Sequence, residues 1–170
     1  MTKIIREVWI NAPRQEVWEK GLEDFGNIYE WNPNVPKSYS TNNKAKGLGA
    51  ERHCDLDAKG KNSIEERVVK WQEGSMMEVL ITEGKGTPPW KNPTARLELF
   101  DENGGTRMRM TMSYEMRLGP IGKLMDVMLV RPQFGKAIAA LPAGLKHYIE
   151  SGRKVTADQV DLSNVVAIPA

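Results

Sequence analysis

Residues 121–152, IGKLMDVMLVRPQFGKAIAALPAGLKHYIESG, carry the one long helical pattern in a chain that otherwise reads as β-strand. Ile121, Leu124, Met125, Met128 and Leu129 recur at three- and four-residue spacing, as one face of a helix does. Phe134, Ile138, Leu141, Leu145, Tyr148 and Ile149 carry the stripe onward, and Gly152 is a natural stop. An unbroken helix of this length would span about 48 Å, more than the width of a small domain, so it must lie along another layer. Two prolines argue against an unbroken rod, because Pro132 and Pro142 each lack a backbone donor. The register also slips near Pro132, where Phe134 rather than Gly135 continues the stripe. The pattern predicts a first segment, roughly residues 121–131, able to act as a movable cover, and a packed segment, roughly residues 133–151.

The layer for this helix lies upstream. Residues 106–117 alternate: Met108, Met110, Met112, Tyr114 and Met116 face one way, and Arg107, Arg109, Thr111, Ser113 and Glu115 the other. One apolar and one wet face is the signature of an antiparallel strand covered on one side. Similar patterns mark strands over 3–11, 37–41, 50–56, 63–72, 76–82 and around Ala95, Leu97 and Leu99. Two short helices, Arg14 to Gly21 and Asp24 to Tyr29, follow the first strand. Residues 84–93 read as a long loop stiffened by prolines, and Asn103-Gly104-Gly105 as a hairpin turn. Strands in a run with helices segregated from them argue an α+β fold: seven antiparallel strands and one long C-terminal helix. Residues 1–152 are expected to form a single domain. Residues 153–170 read as a tail in which Val165, Val166 and Ile168 are expected to fray.

At 170 residues the chain is long enough for one domain with a substantial core. Lys and Arg number 24 and Asp and Glu 22, interspersed, so no charge pattern points to nucleic acid or an anionic membrane. The single cysteine, Cys54, excludes a disulfide framework within the chain. With neither an apolar signal core at the start nor a run of transmembrane length, the sequence reads as cytoplasmic. Gly84-Lys85-Gly86-Thr87 lacks the upstream glycine and the following helix of a phosphate loop. His53, Cys54 and Asp55 are consecutive, so neighbours on this strand point to opposite faces and no metal site follows. No cofactor is called for, and oligomeric state is left open.

The element order resembles the START-like, polyketide-cyclase-type superfamily with the helix-grip fold, over roughly residues 3–152. The resemblance is carried by Val8-Trp9-Ile10-Asn11-Ala12-Pro13 with Val17-Trp18, by Trp31-Asn32-Pro33-Asn34-Val35 and by Gly47-Leu48-Gly49. Glu65-Glu66-Arg67-Val68 and Leu145-Lys146-His147-Tyr148-Ile149-Glu150 complete it. It implies a curved sheet gripping the long helix, with an apolar cavity between them. Members bind lipids, sterols, hormones or polyketides, catalyse aromatic ring closure, or assist a chaperone, so the fold alone does not choose a function.

Within that frame the methionines form an adaptable wall, since methionine moulds to varied apolar shapes. Met108, Met110 and Met112 would face the helix, with Met125 and Met128 pointing back; the competing reading is an ordinary core. Tyr114 is a further candidate for the wall and Cys54 for the ligand site; Arg52 shares a strand face with Ala50, Cys54 and Leu56, and Glu66 with Ile64 and Val68. A charge buried there needs a partner, water or ligand. Arg52 and Glu66 either anchor a ligand's polar end or pair with each other across neighbouring strands. The resemblance adds Lys37 as a pocket lysine. Trp31 is a candidate wall, and Trp90 either a lid at the mouth or a contact for a protein partner. Glu66 and Tyr114 are the candidates for proton transfer in a cyclase or dehydratase. Three functions remain: binding of a hydrophobic small molecule (lipid, isoprenoid or polyketide-like), a cyclase or dehydratase, and a partner-binding module that assists a chaperone. The sequence does not decide between carrier and enzyme.

Overall fold

The computed structural model describes residues 1–117 and 119–170, without the side chains of residues 120, 123, 125, 129 and 131–133. Eight strands form one antiparallel sheet: β1 (Thr2–Ile10), β2 (Lys37–Ser40), β3 (Glu51–Asp55), β4 (Ser63–Gln72), β5 (Met76–Lys85), β6 (Trp90–Glu102), β7 (Gly105–Met116) and β8 (Val166–Ile168). The spatial order is β2-β3-β4-β5-β6-β7-β1-β8. Strands β2 to β7 are joined as successive neighbours, and β1 crosses over to pair with β7, placing Ile4 opposite Met112 and Val8 opposite Met108. The β6–β7 connection is the two-residue turn Asn103-Gly104. Both residues have positive φ, 50° and 77°, which matches the right-handed twist of the flanking strands.

Curvature comes from breaks in the ladder. The β4–β5 register shifts at Glu65/Glu66 and again between Val68 and Lys70, and the β6–β7 register shifts between Lys91 and Thr94. Each bulge bends its strand and adds twist, so the sheet wraps around its apolar face. That face is the one its periodicity marks: Met108, Met110, Met112 and Tyr114 are all buried, as are Leu97, Leu99, Val79 and Met77. The opposite face carries ion pairs such as Arg109 Nε to Glu7 at 2.5 Å.

Helix α1 (Arg14–Val17) runs into a π-helical turn, Trp18–Leu22, and a 3-10 turn, Phe25–Glu30, follows. The C-terminal helix begins as α2 (Gly119–Met125), passes through a π-helical stretch at Asp126–Val130, and continues as α3 (Arg131–Ser151). The helix does not break at Pro132: a π-helical stretch ends just before it, Val130 keeps helical φ and ψ of -71° and -54°, and Pro132 sits in the first turn of α3, where a missing donor is tolerated. Pro142 does not break α3. Gly152 ends it in the left-handed conformation, its N–H bonded to the Tyr148 carbonyl at 2.8 Å. Helix α3 packs across β1 and β7, burying Ile138, Leu145 and Ile149.

Three expectations are corrected. The sheet has eight strands rather than seven, because Val166–Ile168, expected to fray, pairs with Ile5–Glu7 of β1. Val155 in the same region is 4% exposed. The loop expected over 84–93 spans only 86–89, since β5 continues to Lys85 and β6 starts at Trp90. Pro93 is accommodated inside β6 because it lies in the bulge that interrupts the ladder.

The apolar face of the first helical segment is the third correction. Ile121, Leu124, Val127 and Met128 are exposed, while Gly122, Asp126 and Val130 turn inward at four-residue spacing. The cause is Asp126, which is 2% exposed. It accepts hydrogen bonds from the Tyr114 phenol at 2.6 Å and the Thr2 hydroxyl at 2.9 Å, and these fix the rotation of the segment.

Candidate functional site

Between the sheet and α3 lies a cavity of about 280 Å³. Its floor is built by inward positions of β3 to β7, including Ile64, Val79, Ile81, Leu97, Met110 and Met112. Its roof is one face of α3: Phe134, Ile138 and Leu141 at three- and four-residue spacing. One end is closed by Ile28, Trp31 and the Asn32–Val35 turn. This turn is held to the helix by the Asn34 amide, which donates to the Ala137 carbonyl at 2.8 Å. It also lies against Gly144, where any Cβ would overlap the Trp31 carbonyl oxygen and approach Pro33 to 3.0 Å.

The walls are mostly apolar; Asn32 and Asn34 line the closed end, and the charged groups among the described lining residues are Arg52 and Glu66. Arg52 and Glu66 sit directly opposite each other on β3 and β4, 5% and 6% exposed, and both line the cavity. Arg52 Nε donates to Glu66 Oε2 at 2.6 Å, and Arg52 Nη1 donates to the Phe25 carbonyl at 2.9 Å. The guanidinium stacks over the Phe25 ring at 4.0 Å. Burial disfavours the Arg52 charge, but the Glu66 carboxylate more than offsets this, so the guanidinium pKa lies above its ordinary value. The Cys54 thiol, 3.5 Å from Glu66 Oε2, is pushed well up by burial, which leaves it protonated and unreactive.

The expected site residues divide cleanly. Trp31, Arg52, Glu66, Trp90, Met110 and Met112 line the cavity. Arg52 and Glu66 pair with each other, and both face the cavity. Met108 and Tyr114 are buried but belong to the packed core beside the cavity, and the Tyr114 phenol is engaged with Asp126. Cys54 lies behind the Arg52–Glu66 pair and does not line the cavity. Lys37 is exposed, because the alternation of β2 turns Ser38 inward, and its ammonium lies 5.6 Å from the Tyr39 ring centroid. Met128 is exposed for the reason given above, and the Met125 side chain lies outside the described residues.

Trp90 is 8% exposed, packed against Phe134 at 4.9 Å and Tyr114 at 5.8 Å between ring centroids. A buried indole offers no surface to a protein partner, so the chaperone-assisting reading loses the residue that supported it. Lining residues not singled out from sequence, such as Leu56, Ile64, Phe134 and Leu141, sit on faces whose period was readable. What was missing was the parity of neighbouring strands. His53 lies on the outer face between Glu65 and Asp55, and its pKa is raised by hydrogen bonds to both carboxylates. Among the described residues, no cluster of three or more His, Cys, Asp or Glu is placed to hold a metal ion.

The sequence from residue 1 to 150 matches the family model described as polyketide cyclase / dehydrase and lipid transport. The chain belongs to this polyketide cyclase/dehydrase and lipid transport family. No curated protein matches the sequence. Solved structures share its fold. A Thermus thermophilus protein superposes with a TM-score of 0.71 at 19% identity, covering 89% of this chain and 99% of that one. A START superfamily protein from Mycobacterium smegmatis gives 0.67 at 15% identity over 88% and 97% of the two chains. A protein of the dynemicin biosynthetic locus, DynU16, gives 0.65 at 17% identity, covering 92% of this chain and 50% of that one. At such identities these similarities establish the helix-grip fold of this family member. No helix among the described residues is long and apolar enough to cross a membrane.

Proposed function

We propose that this family member binds a hydrophobic small molecule, such as a lipid, isoprenoid or polyketide-like compound, in the cavity between sheet and helix. The observation that carries the proposal is the cavity of about 280 Å³, with a mostly apolar wall whose charged groups among the described residues are the buried Arg52–Glu66 pair. A ligand burying about 200 Å² of apolar surface there gains about 5 kcal/mol at about 25 cal/mol per Å². Arg52 and Glu66 orient its polar end; Trp31, Trp90, Met110 and Met112 supply shape. The test is organic extraction of the purified protein followed by mass spectrometry. A compound recovered at stoichiometric yield, and lost when Leu97→Trp fills the cavity, supports the proposal. An empty extract, together with no saturable uptake of the neutral apolar dye N-phenylnaphthylamine, overturns it.

A cyclase or dehydratase is the second reading, and Glu66 is the observation that favours it, as the one carboxylate among the described residues lining the cavity. With Tyr114 committed to Asp126, any proton transfer falls to Glu66. Glu66→Gln then abolishes turnover of a bound polyketide-like substrate while leaving its uptake intact. Parallel loss of both makes Glu66 an anchor.

A further inference from the structure

The buried ion pair does not use all of its hydrogen-bonding capacity. Arg52 commits Nε to Glu66 and Nη1 to the Phe25 carbonyl. Its remaining nitrogen, Nη2, has no hydrogen bond to an oxygen or nitrogen of any described residue, and the Cys54 sulfur is a further polar neighbour of the guanidinium. Glu66 receives Arg52 Nε and the Cys54 thiol on the same oxygen, Oε2, and its other oxygen, Oε1, accepts from no described residue. Neither atom belongs to the fully occluded polar atoms that lack a partner. Both residues line the cavity, and both are more than nine-tenths buried. The polar end of the cavity therefore offers one donor and one acceptor on residues that face each other across two strands. Buried groups of this kind are costly when left unmet.

Charge sets a second condition. The pair is neutral as a unit, one guanidinium against one carboxylate, and no other described residue lining the cavity is charged. A ligand that brought its own negative charge would leave the site with a net charge inside an apolar enclosure, where an uncompensated ion costs several kcal/mol. It would also meet the Glu66 carboxylate at close range. Arg52 alone would attract an anion, but Arg52 beside Glu66 does not.

Resting on the proposed ligand-binding role of the cavity, we infer that the Arg52–Glu66 pair selects an uncharged head group carrying both a hydrogen-bond acceptor and a donor. A hydroxy-carbonyl, an enolised diketone or a primary amide meets this; a carboxylate does not. The acceptor oxygen sits on Arg52 Nη2 and the donor hydrogen on Glu66 Oε1, while the tail occupies the space under Phe134, Ile138 and Leu141.

Three probes sharing one tail test this at neutral pH: octanamide, which has donor and acceptor; methyl octanoate, which is neutral but has no donor; and octanoate, which is an anion. Each is measured by displacement of N-phenylnaphthylamine. Octanamide is expected to bind about tenfold tighter than the ester, the value of a hydrogen bond to a charged group, and at least tenfold tighter than octanoate. In Glu66→Gln the wall carries the unbalanced Arg52 charge, and the order of octanamide and octanoate inverts. The Arg52→Met/Glu66→Leu double variant keeps the cavity wall apolar and filled. There amide and ester should bind within about twofold of each other, which checks the claim without relying on a charged variant that folds poorly. If wild type binds all three alike, or prefers octanoate, the inference is overturned while the cavity still stands as a ligand site. If neither the dye nor any probe binds, the ligand-binding proposal itself fails.

Discussion

Replacing Glu66 by Gln tests whether the wall of the cavity is held by an ion pair or only decorated by one. The substitution preserves size and removes one charge, so Arg52 keeps the Phe25 carbonyl at 2.9 Å and the Phe25 ring but loses its counter-ion. Two unit charges about 4 Å apart interact by about 4 kcal/mol at an effective dielectric of about 20. Measured losses on removing one partner of a buried pair run at about 3–5 kcal/mol. The retained contacts of Arg52 place this case near the lower figure, about 3 kcal/mol. For a domain of this length that lowers Tm by about 6–12 °C. Because a typical domain has about 5–15 kcal/mol to lose, the variant stays folded at low temperature.

The assay is urea unfolding followed by tryptophan fluorescence, run on Glu66→Gln, Arg52→Met and the Arg52→Met/Glu66→Leu double variant. The double variant should recover to within about 1 kcal/mol of wild type or exceed it, since well-packed apolar side chains often replace a buried pair without loss. The singles and the double then show a coupling of about 2 kcal/mol or more. A Glu66→Gln variant within about 1 kcal/mol of wild type, with additive behaviour in the double, would refute the reasoning. Both groups would then be solvated from the cavity and the pair would fix nothing.

Three further outcomes follow from the geometry. His53 has a folded-state pKa raised by hydrogen bonds to Glu65 and Asp55, so its contribution is fully present below its unfolded value of about 6.5. That contribution is lost as pH climbs through the raised value; stability measured from pH 5.5 to 9 should fall more steeply in wild type than in His53→Gln, and parallel curves would deny the effect. Tyr114→Phe removes the phenol that donates to Asp126 and should cost about 1–2 kcal/mol, with faster amide exchange over 119–130 and unchanged exchange over 138–150; uniform acceleration along the whole helix would contradict this. Gly144→Ala forces a Cβ onto the Trp31 carbonyl, so it should cost about 1–3 kcal/mol and weaken dye uptake by moving the Asn32–Val35 turn; neutrality in melting and uptake would show the approach is looser than it looks.

The fold was legible where a single period runs long enough to count. The alternation of β7 and the stripe over Phe134, Ile138, Leu141 and Leu145 each give the buried face directly, and Asn103-Gly104 marks its turn. Legibility ended where the deciding partner is distant in sequence. The rotation of residues 119–130 is set by Thr2, 124 positions from Asp126, so the local stripe of Ile121, Leu124 and Met128 pointed to the wrong face. Strand β2 has four residues, too few for alternation alone to say that Ser38 rather than Lys37 turns inward. Strand β8 has three and depends entirely on the β1 edge it joins. At the site, Arg52 and Glu66 stood out because charges on apolar strand faces need an explanation. That they face one another required the β3–β4 register, which no single strand contains.

The two buried polar clusters divide the work of the C-terminal helix. Arg52 and Glu66 lie on the sheet, and Arg52 is also tied to the Phe25 carbonyl of the 3-10 turn. Asp126 ties the helix to the sheet, through Tyr114 of β7 and Thr2 of β1. An opening that swings residues 119–130 away must break both bonds. At about 1–1.5 kcal/mol each, these two bonds contribute about 2–3 kcal/mol against such an opening. Ile121, Leu124, Val127 and Met128 form an exposed row on the other side of the same segment. With Asp126 holding the opposite face inward, these side chains contribute little to closing the cavity. Phe134, on the far side of the π-helical stretch, belongs to the part of the helix that roofs the cavity.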